Sequence, residues 1–151
     1  NAEIEVLKAS QEIGAAYVAF SPLARGFLTN KLHDTSGLAE HDLRLTIPRF
    51  DAENYPANLL LLPAYVKLAQ RQGCTPAQLA LAWVIAQGDN VIAIPGTHNL
   101  HHLEENIGAN NLELDAEVMA QLNALINQHT VHGERYGDRA QASVTTEQFG
   151  A

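Results

Sequence analysis

The amino-acid sequence predicts an α/β fold in which two parallel strands are covered by α-helices. Two short apolar runs, residues 15–20 and 91–94, have the length and composition of buried strands, and helical periodicity occupies much of the remaining chain. Alternation of strands with covering helices is typical of parallel sheets. Two parallel strands alone leave open edges and an uncovered face, so the pattern also indicates part of a larger barrel or sheet.

The first elements are a helix, a strand and a long connection. Helical spacing of apolar residues predicts a helix over residues 2–13, which Gly14 ends. The first strand, residues 15–20, follows directly. No periodicity is sustained over residues 30–56, and a connection of this length in a compact domain is typically functional or disordered. We expect a long loop here, either a lid over a bound cofactor or a disordered segment.

The middle of the chain predicts two helices. Helical spacing returns over residues 58–72, although Pro63 favours a start nearer Leu62. The run Thr75-Pro76-Ala77-Gln78 combines an N-cap threonine, a proline at the first helical position and a glutamine that can complete a capping box. The residues that follow, up to about residue 86, are apolar on nearly all sides. This second helix is therefore predicted to be buried.

The second strand, residues 91–94, runs through a Pro-Gly turn into a helix predicted over residues 99–107. Asp115 is placed to cap a last helix over residues 116–128, and an irregular, polar tail is expected at residues 129–151. A turn from a strand into a helix leaves free backbone N–H groups beside the positive end of the helix dipole. Such a place suits a phosphate, so this turn is a candidate nucleotide site.

Composition and charge restrict the functional classes. Nine basic and 17 acidic residues give a net charge of -8, which argues against a nucleic-acid partner. No apolar run approaches the roughly 20 residues that span a membrane. A single cysteine, Cys74, excludes an internal disulfide and favours a reducing, cytoplasmic location. His98, His101 and His102 invite a metal site, but no further ligand stands at suitable spacing, and we expect none.

Several motifs resemble those of the aldo/keto reductases and occur in the same order. They are residues 19–29 at the end of the first strand, Arg49-Phe50, residues 73–83, Ile94-Pro95-Gly96-Thr97, residues 103–109 and the tail element Gly133-Glu134-Arg135-Tyr136. This resemblance covers nearly the whole chain. It implies the C-terminal half of a (β/α)8 TIM barrel, in which active sites lie at the carboxyl ends of the strands. It also implies reduction of aldehydes or ketones with NADPH.

The resemblance implies a cofactor site with two walls. One wall, after the first strand, would face the cofactor pyrophosphate, and the other, after the second strand, would face the ribose and adenine. The residues implied are Ser21, Pro22, Leu23, Arg25, Gly26, Gly96, Thr97, Asn99, His102, Glu105 and Asn106.

Asn99 and His102 depart from the family pattern, because similar members have a lysine and an arginine at these two positions. Those cations recognise the 2′-phosphate of NADPH, and a bidentate arginine is the usual device for this. The choice between NADPH and NADH is therefore left open.

The family's catalytic Asp, Tyr, Lys and His come from the first half of the barrel, and no residue of this chain matches them. We expect the chain alone to be inactive and assign it no catalytic residue. The first hypothesis is the cofactor-binding part of an NAD(P)H-dependent reductase that acts on a small carbonyl substrate. The second is a non-catalytic, truncated half-barrel that self-associates and binds nucleotide weakly or not at all.

Overall fold

The computed structural model describes residues 2–144, which contain one two-stranded parallel sheet. The strands are β1 (Tyr17–Phe20) and β2 (Val91–Ile94). The helices are α1 (Val6–Glu12), α2 (Tyr55–Leu59), α3 (Leu62–Arg71), α4 (Pro76–Ile85), α5 (Leu100–Gly108), α6 (Ala116–Leu125) and α7 (Asp138–Gln141). Short 3-10 helices span Ala24–Thr29, Leu43–Thr46, Pro48–Phe50 and Ala109–Asn111. None of the helices in this part of the chain has the length and apolar character needed to cross a membrane.

The two strands pair in parallel, with Tyr17 opposite Val91 and Phe20 opposite Ile94. Both strands therefore end at the same level, and the turns that leave them meet at one end of the sheet. One face of the sheet is turned toward α4 and α6, because Tyr17 and Val91 line a cavity with side chains of these helices. The predicted α/β fold of two parallel strands with covering helices is confirmed.

The opposite face of the sheet carries four apolar side chains that the described residues leave half exposed. Their exposed fractions are 51% for Val18, 50% for Phe20, 51% for Ile92 and 50% for Ile94. They alternate with the helix-facing residues because successive side chains of a strand point to opposite faces. An uncovered face is the consequence expected when two parallel strands have helices on one side only.

The hydrophobic core lies between α3, α4, α6 and the segment that follows β1. Helix α4 is central to it, since Leu79 is 0% and Leu81 is 1% exposed, and the prediction of a buried helix is confirmed. Full burial of such a side chain stabilises the fold by roughly 1.5–3 kcal/mol. Other members of the core are Phe27, Ile47, Phe50, Tyr55, Leu62, Tyr65, Leu68, Ala69, Ala80, Val118 and Leu122.

The predicted ends of three helices are confirmed by their hydrogen bonds and backbone angles. At the start of α4, Thr75 Oγ1 accepts from the Gln78 N–H at 3.1 Å, and Gln78 Oε1 accepts from the Thr75 N–H at 3.1 Å. Asp115 Oδ1 accepts from the Val118 N–H at 2.8 Å and caps α6. Gly14 follows α1 with a φ of +67°, a left-handed conformation that glycine adopts readily.

The segment 30–56 has more regular structure than its sequence predicts. It contains two 3-10 helices and the first residues of α2, and it buries Ile47, Phe50 and Tyr55. These side chains pack into the core at spacings that follow neither helical nor strand periodicity. Burial of these side chains against distant parts of the chain therefore gives structure to a segment whose own sequence shows no periodicity.

One expected helix is two helices in the structure. The pattern over residues 58–72 divides into α2 and α3, because Pro56 and Pro63 each occupy the first turn of a new helix. The start of α3 at Leu62 agrees with the start favoured by Pro63. Helix α6 ends three residues earlier than expected, since Ile126 adopts an extended conformation.

Asn58, a buried polar residue of α2, joins the segment after β1 to the tail. Its Nδ2 donates to the carbonyl oxygens of Arg49 at 3.0 Å and His132 at 2.9 Å. Its Oδ1 accepts from the His132 N–H at 2.8 Å. Asn58 is 3% exposed, so these three bonds supply partners to a buried side-chain amide that has little access to water.

The tail lies close against the short helix at residues 48–50. Gly133 has a φ of +84°, and a Cβ at this position would lie 2.8 Å from the carbonyl carbon of Pro48, so glycine is required. The tail was expected to be irregular, but it includes α7, while residues 145–151 lie outside the described residues.

Replacing Asn58 with alanine should detach the tail. The change removes three hydrogen bonds and leaves backbone groups of Arg49 and His132 unpaired, which should lower the free energy of unfolding by about 2–3 kcal/mol. Urea denaturation measures this loss, and hydrogen exchange should show faster exchange of the His132 N–H. Asn110→Ala is the control, because Asn110 is exposed and makes one local bond; an equal loss there would contradict the role of Asn58.

Candidate functional site

A groove of about 420 Å³ lies at the carboxyl ends of β1 and β2. The turn after β1 forms one wall, and the turn after β2 with the first part of α5 forms the other. Of the residues implied by the sequence, all except Asn99 line this groove. The lining residues are Ser21, Pro22, Leu23, Arg25, Gly26, Thr29, Lys31, Ala77, Ile94, Pro95, Gly96, Thr97, His102, Glu105 and Asn106.

The turn after β1 has a strained backbone. Ser21, Ala24 and Arg25 have φ values of 52°, 47° and 56°, in the left-handed region that non-glycine residues rarely adopt. Gly26 follows with a φ of 95°. Such conformations cost on the order of 1–3 kcal/mol for each non-glycine residue and cluster at ligand sites. The turn therefore holds Ser21 and Arg25 at the groove against a local preference for other backbone conformations.

Arg44 connects the long segment to this strained turn. Its Nη1 donates to the Arg25 carbonyl oxygen at 3.4 Å, close to Gly26, where an added Cβ would lie 3.6 Å from the same nitrogen. Asp42 holds Arg44 in place, since its carboxylate accepts from Nε at 2.9 Å and from Nη2 at 2.6 Å. Hydrogen bonds from the side chain and backbone of Arg44 lower the pKa of Asp42 to about 2.

Asn99 serves as the N-cap of α5 and does not line the groove. Its Oδ1 accepts from the N–H groups of His101 at 2.9 Å and His102 at 3.4 Å, while its own N–H donates to Thr97 Oγ1 at 3.1 Å. Two of the first N–H groups of α5 are thus already satisfied. This turn offers fewer free donors to a phosphate than its sequence predicts, and the amide of Asn99 is committed to the helix.

The second wall of the groove is tied to α4 by Gln78. Its Nε2 donates to the Glu105 carbonyl oxygen at 3.0 Å, and an added Cβ at Gly108 would lie 2.7 Å from the same nitrogen. Asn106, which also lines the groove, is buried, with 8% of its surface exposed. The close approach of α5 to α4 fixes where Glu105 and Asn106 face the groove.

Lys31 and Thr29 line the groove although the sequence analysis did not single them out. Thr29 Oγ1 donates to the Gly26 carbonyl oxygen at 2.7 Å and so supports the turn. Lys31 is exposed at the rim. A cation six residues after Arg25, in the same turn region, was the signal that could have identified it.

The histidines of α5 have no grouped companion ligands among the described residues. Within residues 2–144, no group of three or more His, Cys, Asp or Glu side chains is arranged to hold a metal ion. The rings of His101 and His102 lie 6.2 Å apart, and His102 alone of the two lines the groove.

Parallel strands covered by helices, with a groove at the carboxyl ends of the strands, place the protein in the α/β class, which includes (β/α) barrels and open parallel sheets. The aldo/keto reductase family model matches residues 1–127, and the chain belongs to this family.

Two curated relatives are aldo-keto reductases. One, from Strobilurus tenacellus, is 38% identical over 133 residues, which are 88% of this chain and 40% of the relative. The other, from Schizosaccharomyces pombe, has NADP(+) in its name and is 39% identical over 134 residues, 89% of this chain and 39% of the relative. The chain thus spans about two fifths of the length of these relatives.

Solved structures give the same assignment. A glycerol dehydrogenase from Gluconobacter oxydans superposes with a TM-score of 0.78 at 25% identity, over 88% of this chain and 40% of that one. A thermostable aldo-keto reductase, solved with the inhibitor epalrestat, superposes with a TM-score of 0.52 at 29% identity, over 80% of this chain and 33% of its own. The fold is that of part of an aldo-keto reductase TIM barrel.

The anchor between Asp42 and Arg44 should depend on pH. Because the folded-state pKa of Asp42 is lowered from 3.8 to about 2, its contribution is present above about pH 4 and is lost as the pH falls through about 2. Asp42→Asn should therefore speed hydrogen exchange of the Arg44 N–H at neutral pH. Asp89→Asn, an exposed change, should not.

The difference in exchange between the wild-type chain and Asp42→Asn should persist at pH 5, shrink as the pH falls through about 2, and vanish only below that value. A difference that is already lost by about pH 4 would contradict the lowered pKa of Asp42.

Proposed function

We propose that this chain is the cofactor-binding part of an NAD(P)H-dependent oxidoreductase that reduces aldehydes or ketones to alcohols. One observation carries the proposal: a chain of the aldo/keto reductase family brings the Ser21–Gly26 turn and the Gly96–Asn106 segment together around one groove. Enzymes with barrel folds have their sites at this end of the strands.

The volume and the lining of the groove support this proposal. Its volume of about 420 Å³ lies within the range of small-molecule sites. Arg25 and Lys31 line the wall proposed to face the pyrophosphate, and both are cations that suit phosphate oxygens. Gly96 has no atom within 4 Å of an added Cβ, so a ligand can approach its backbone. When bound, the nicotinamide would supply a hydride to the carbonyl carbon.

For the adenosine end we propose contacts from Gly96, Thr97, His102, Glu105 and Asn106, all of which line the second wall. NADPH is the proposed cofactor, and the name of the Schizosaccharomyces pombe relative supports it. His102 is the one cationisable residue of α5 among the described groove residues, and a histidine lacks the bidentate fork of an arginine. We therefore propose a weaker preference for NADPH over NADH than a site with arginine at this position would have.

We assign no catalytic residue to this chain. The substrate would be a small carbonyl compound, and the group that protonates its oxygen would belong to a part of the enzyme outside this sequence. The relatives are a little over twice as long as this chain, which leaves room for such a group. A reducing, cytoplasmic location is part of the proposal and rests on the single cysteine.

Titration with NADPH and NADH, followed by nicotinamide fluorescence, tests the proposal. Saturable binding of NADPH is expected, and the absence of a signal with either nucleotide would overturn it. His102→Arg should lower the Kd for NADPH by about tenfold, because a bidentate contact to a phosphate is worth about 1.4 kcal/mol or more. The Kd for NADH should stay within about twofold.

His101→Arg is the matched control for this titration. His101 neighbours His102 in α5 but does not line the groove, so the same substitution should leave both affinities within about twofold. Equal decreases in the Kd for NADPH with the two variants would show that the affinity responds to the added positive charge and not to its position. This result would contradict the placement of the 2′-phosphate at His102.

A second candidate function is a non-catalytic half-barrel that associates with itself. The observation that favours it is the half-exposed apolar face of Val18, Phe20, Ile92 and Ile94, on a sheet whose two strands are both edges in the described residues. A second copy could cover this face. Nucleotide binding would then be weak or lost.

Sedimentation velocity distinguishes this second candidate. A self-associated chain should sediment as a dimer or larger species, and Ile92→Lys should shift it to the monomer, because it places a charge within the apolar face. Glu113→Lys, an exposed change away from the sheet, is the control. A well-folded wild-type monomer at all concentrations would eliminate the candidate.

A further inference from the structure

A second cavity, of about 150 Å³, lies beside the groove. Apolar side chains form most of its wall, chiefly Phe27, Ile47, Phe50, Tyr55, Ile126 and Val131. They come from the segment after β1, from α2 and from the residues after α6. An apolar cavity of about this volume accommodates one benzene ring.

Three arginines line the same cavity. Arg25 comes from the strained turn, Arg49 from the short helix at residues 48–50, and Arg135 from the tail. The guanidinium of Arg25 lies 5.7 Å from the centre of the Tyr136 ring, and that of Arg135 lies 5.2 Å from the centre of the Phe20 ring. Stacking on aromatic rings holds these planar groups in position.

None of these three arginines forms an ion pair within residues 2–144. The ion pairs in this range involve Lys8, Arg44 and Arg71 instead. Arg49 donates through Nε to the Gly133 carbonyl oxygen at 3.2 Å, and its two terminal nitrogens have no partner among the described residues. Glu134 is near enough to act on Arg49 electrostatically but lies beyond ion-pair distance.

The arrangement is electrostatically unfavourable without an anion. Burial and the neighbouring charges of Arg135 and Arg25 lower the pKa of Arg49. Two other polar side chains of the lining already have partners: Tyr55 Oη donates to the Leu32 carbonyl oxygen at 2.6 Å, and Asn58 makes the three bonds described above. The guanidinium forks, together with the Ser21 hydroxyl, are thus the donors left for a ligand.

We propose that this cavity binds a small aromatic carboxylate, with its ring among the apolar side chains and its carboxylate toward Arg49 and Arg135. An arginine fork matches a carboxylate in geometry as well as charge. Ser21 and Arg25 line both this cavity and the groove, so the occupant would lie beside the cofactor. This step rests on the proposed function, in which an occupant beside the cofactor would be the substrate. The substrate class would then be carbonyl compounds that carry a carboxylate.

Calorimetric titration of the chain with benzoate tests the cavity. Benzoate should bind with a Kd of about 1 mM or lower, and both benzyl alcohol and inorganic phosphate should bind at least about tenfold more weakly. Benzyl alcohol that binds as tightly would show an apolar cavity without an anion site. Phosphate that binds as tightly would show an anion site without a role for the ring. Either result, or no saturable binding of benzoate, overturns the proposal.

Arg135→Gln should weaken benzoate binding by about tenfold or more and leave the Kd for NADPH within about twofold. Arg135 is exposed and makes no hydrogen bond among the described residues, so this variant should keep its circular dichroism spectrum. Arg139→Gln removes the same charge four residues away, outside the cavity lining, and should change neither affinity. Equal effects of the two variants would overturn the proposal.

NADPH separates this proposal from the cofactor proposal. Benzoate binding that NADPH leaves intact supports the separate cavity, whereas competition between them would show that the arginines serve the nucleotide and overturn it. A chain that binds benzoate but not NADPH would refute the proposed function alone. A chain that binds NADPH but not benzoate would refute the second cavity alone.

Discussion

The parallel pairing of β1 with β2 is the constraint on which the rest of the structure depends. Because Phe20 lies opposite Ile94, both strands end at one level, and the turns that follow must share one end of the sheet. The groove exists only through this register. The core of α3, α4 and α6 supports it from one side, since α4 packs against both β2 and α5 and fixes the level at which each is held.

The two walls of the groove are stabilised in different ways. The wall on α5 is held by local contacts, namely the Asn99 cap and the bond from Gln78 to the Glu105 carbonyl. The wall after β1 is strained, and its positive φ values persist because distant residues hold it. Arg44 contributes a hydrogen bond from the long segment, and Phe27 anchors the turn in the core. If those distant contacts were lost, the strained turn after β1 would change its conformation before the wall on α5 does.

What the sequence could predict follows from the range of each interaction. Caps at Thr75 and Asp115, the buried face of α4 and both strands depend on residues close in sequence, and they were predicted. The order of residues 30–56 depends on burial of side chains far along the chain, which leaves no local pattern.

The same distinction applies to the site. The motif resemblance named ten of the fifteen residues that line the groove, but it could not show that Asn99 uses its amide as a helix cap. Nor could it identify Lys31, because the position of a rim cation depends on how the chain turns after Thr29. Sequence patterns thus indicate which residues gather at a strand end, while folded contacts decide which of them keep a free hydrogen-bonding group.

The groove and the second cavity share a surrounding cluster of basic residues. The chain has a net charge of -8, yet five of its nine basic residues lie on the segments around the carboxyl ends of the strands: Arg25, Lys31, Arg44, Arg49 and Arg135. Only Arg44 of these has a carboxylate partner within the described residues. Unpaired cations held against an acidic remainder create a local positive potential that attracts anions to this end.

Such a potential does not by itself select one anion over another. Selection must come from the walls: a strained, polar turn with room at Gly96 suits a nucleotide, and the ring-sized apolar cavity beneath Arg49 and Arg135 suits an aromatic acid. Arg25 lines both cavities, so its strained backbone places one charge between the two proposed ligand sites. A reductase must bring its cofactor and its substrate together in this way before hydride can pass between them.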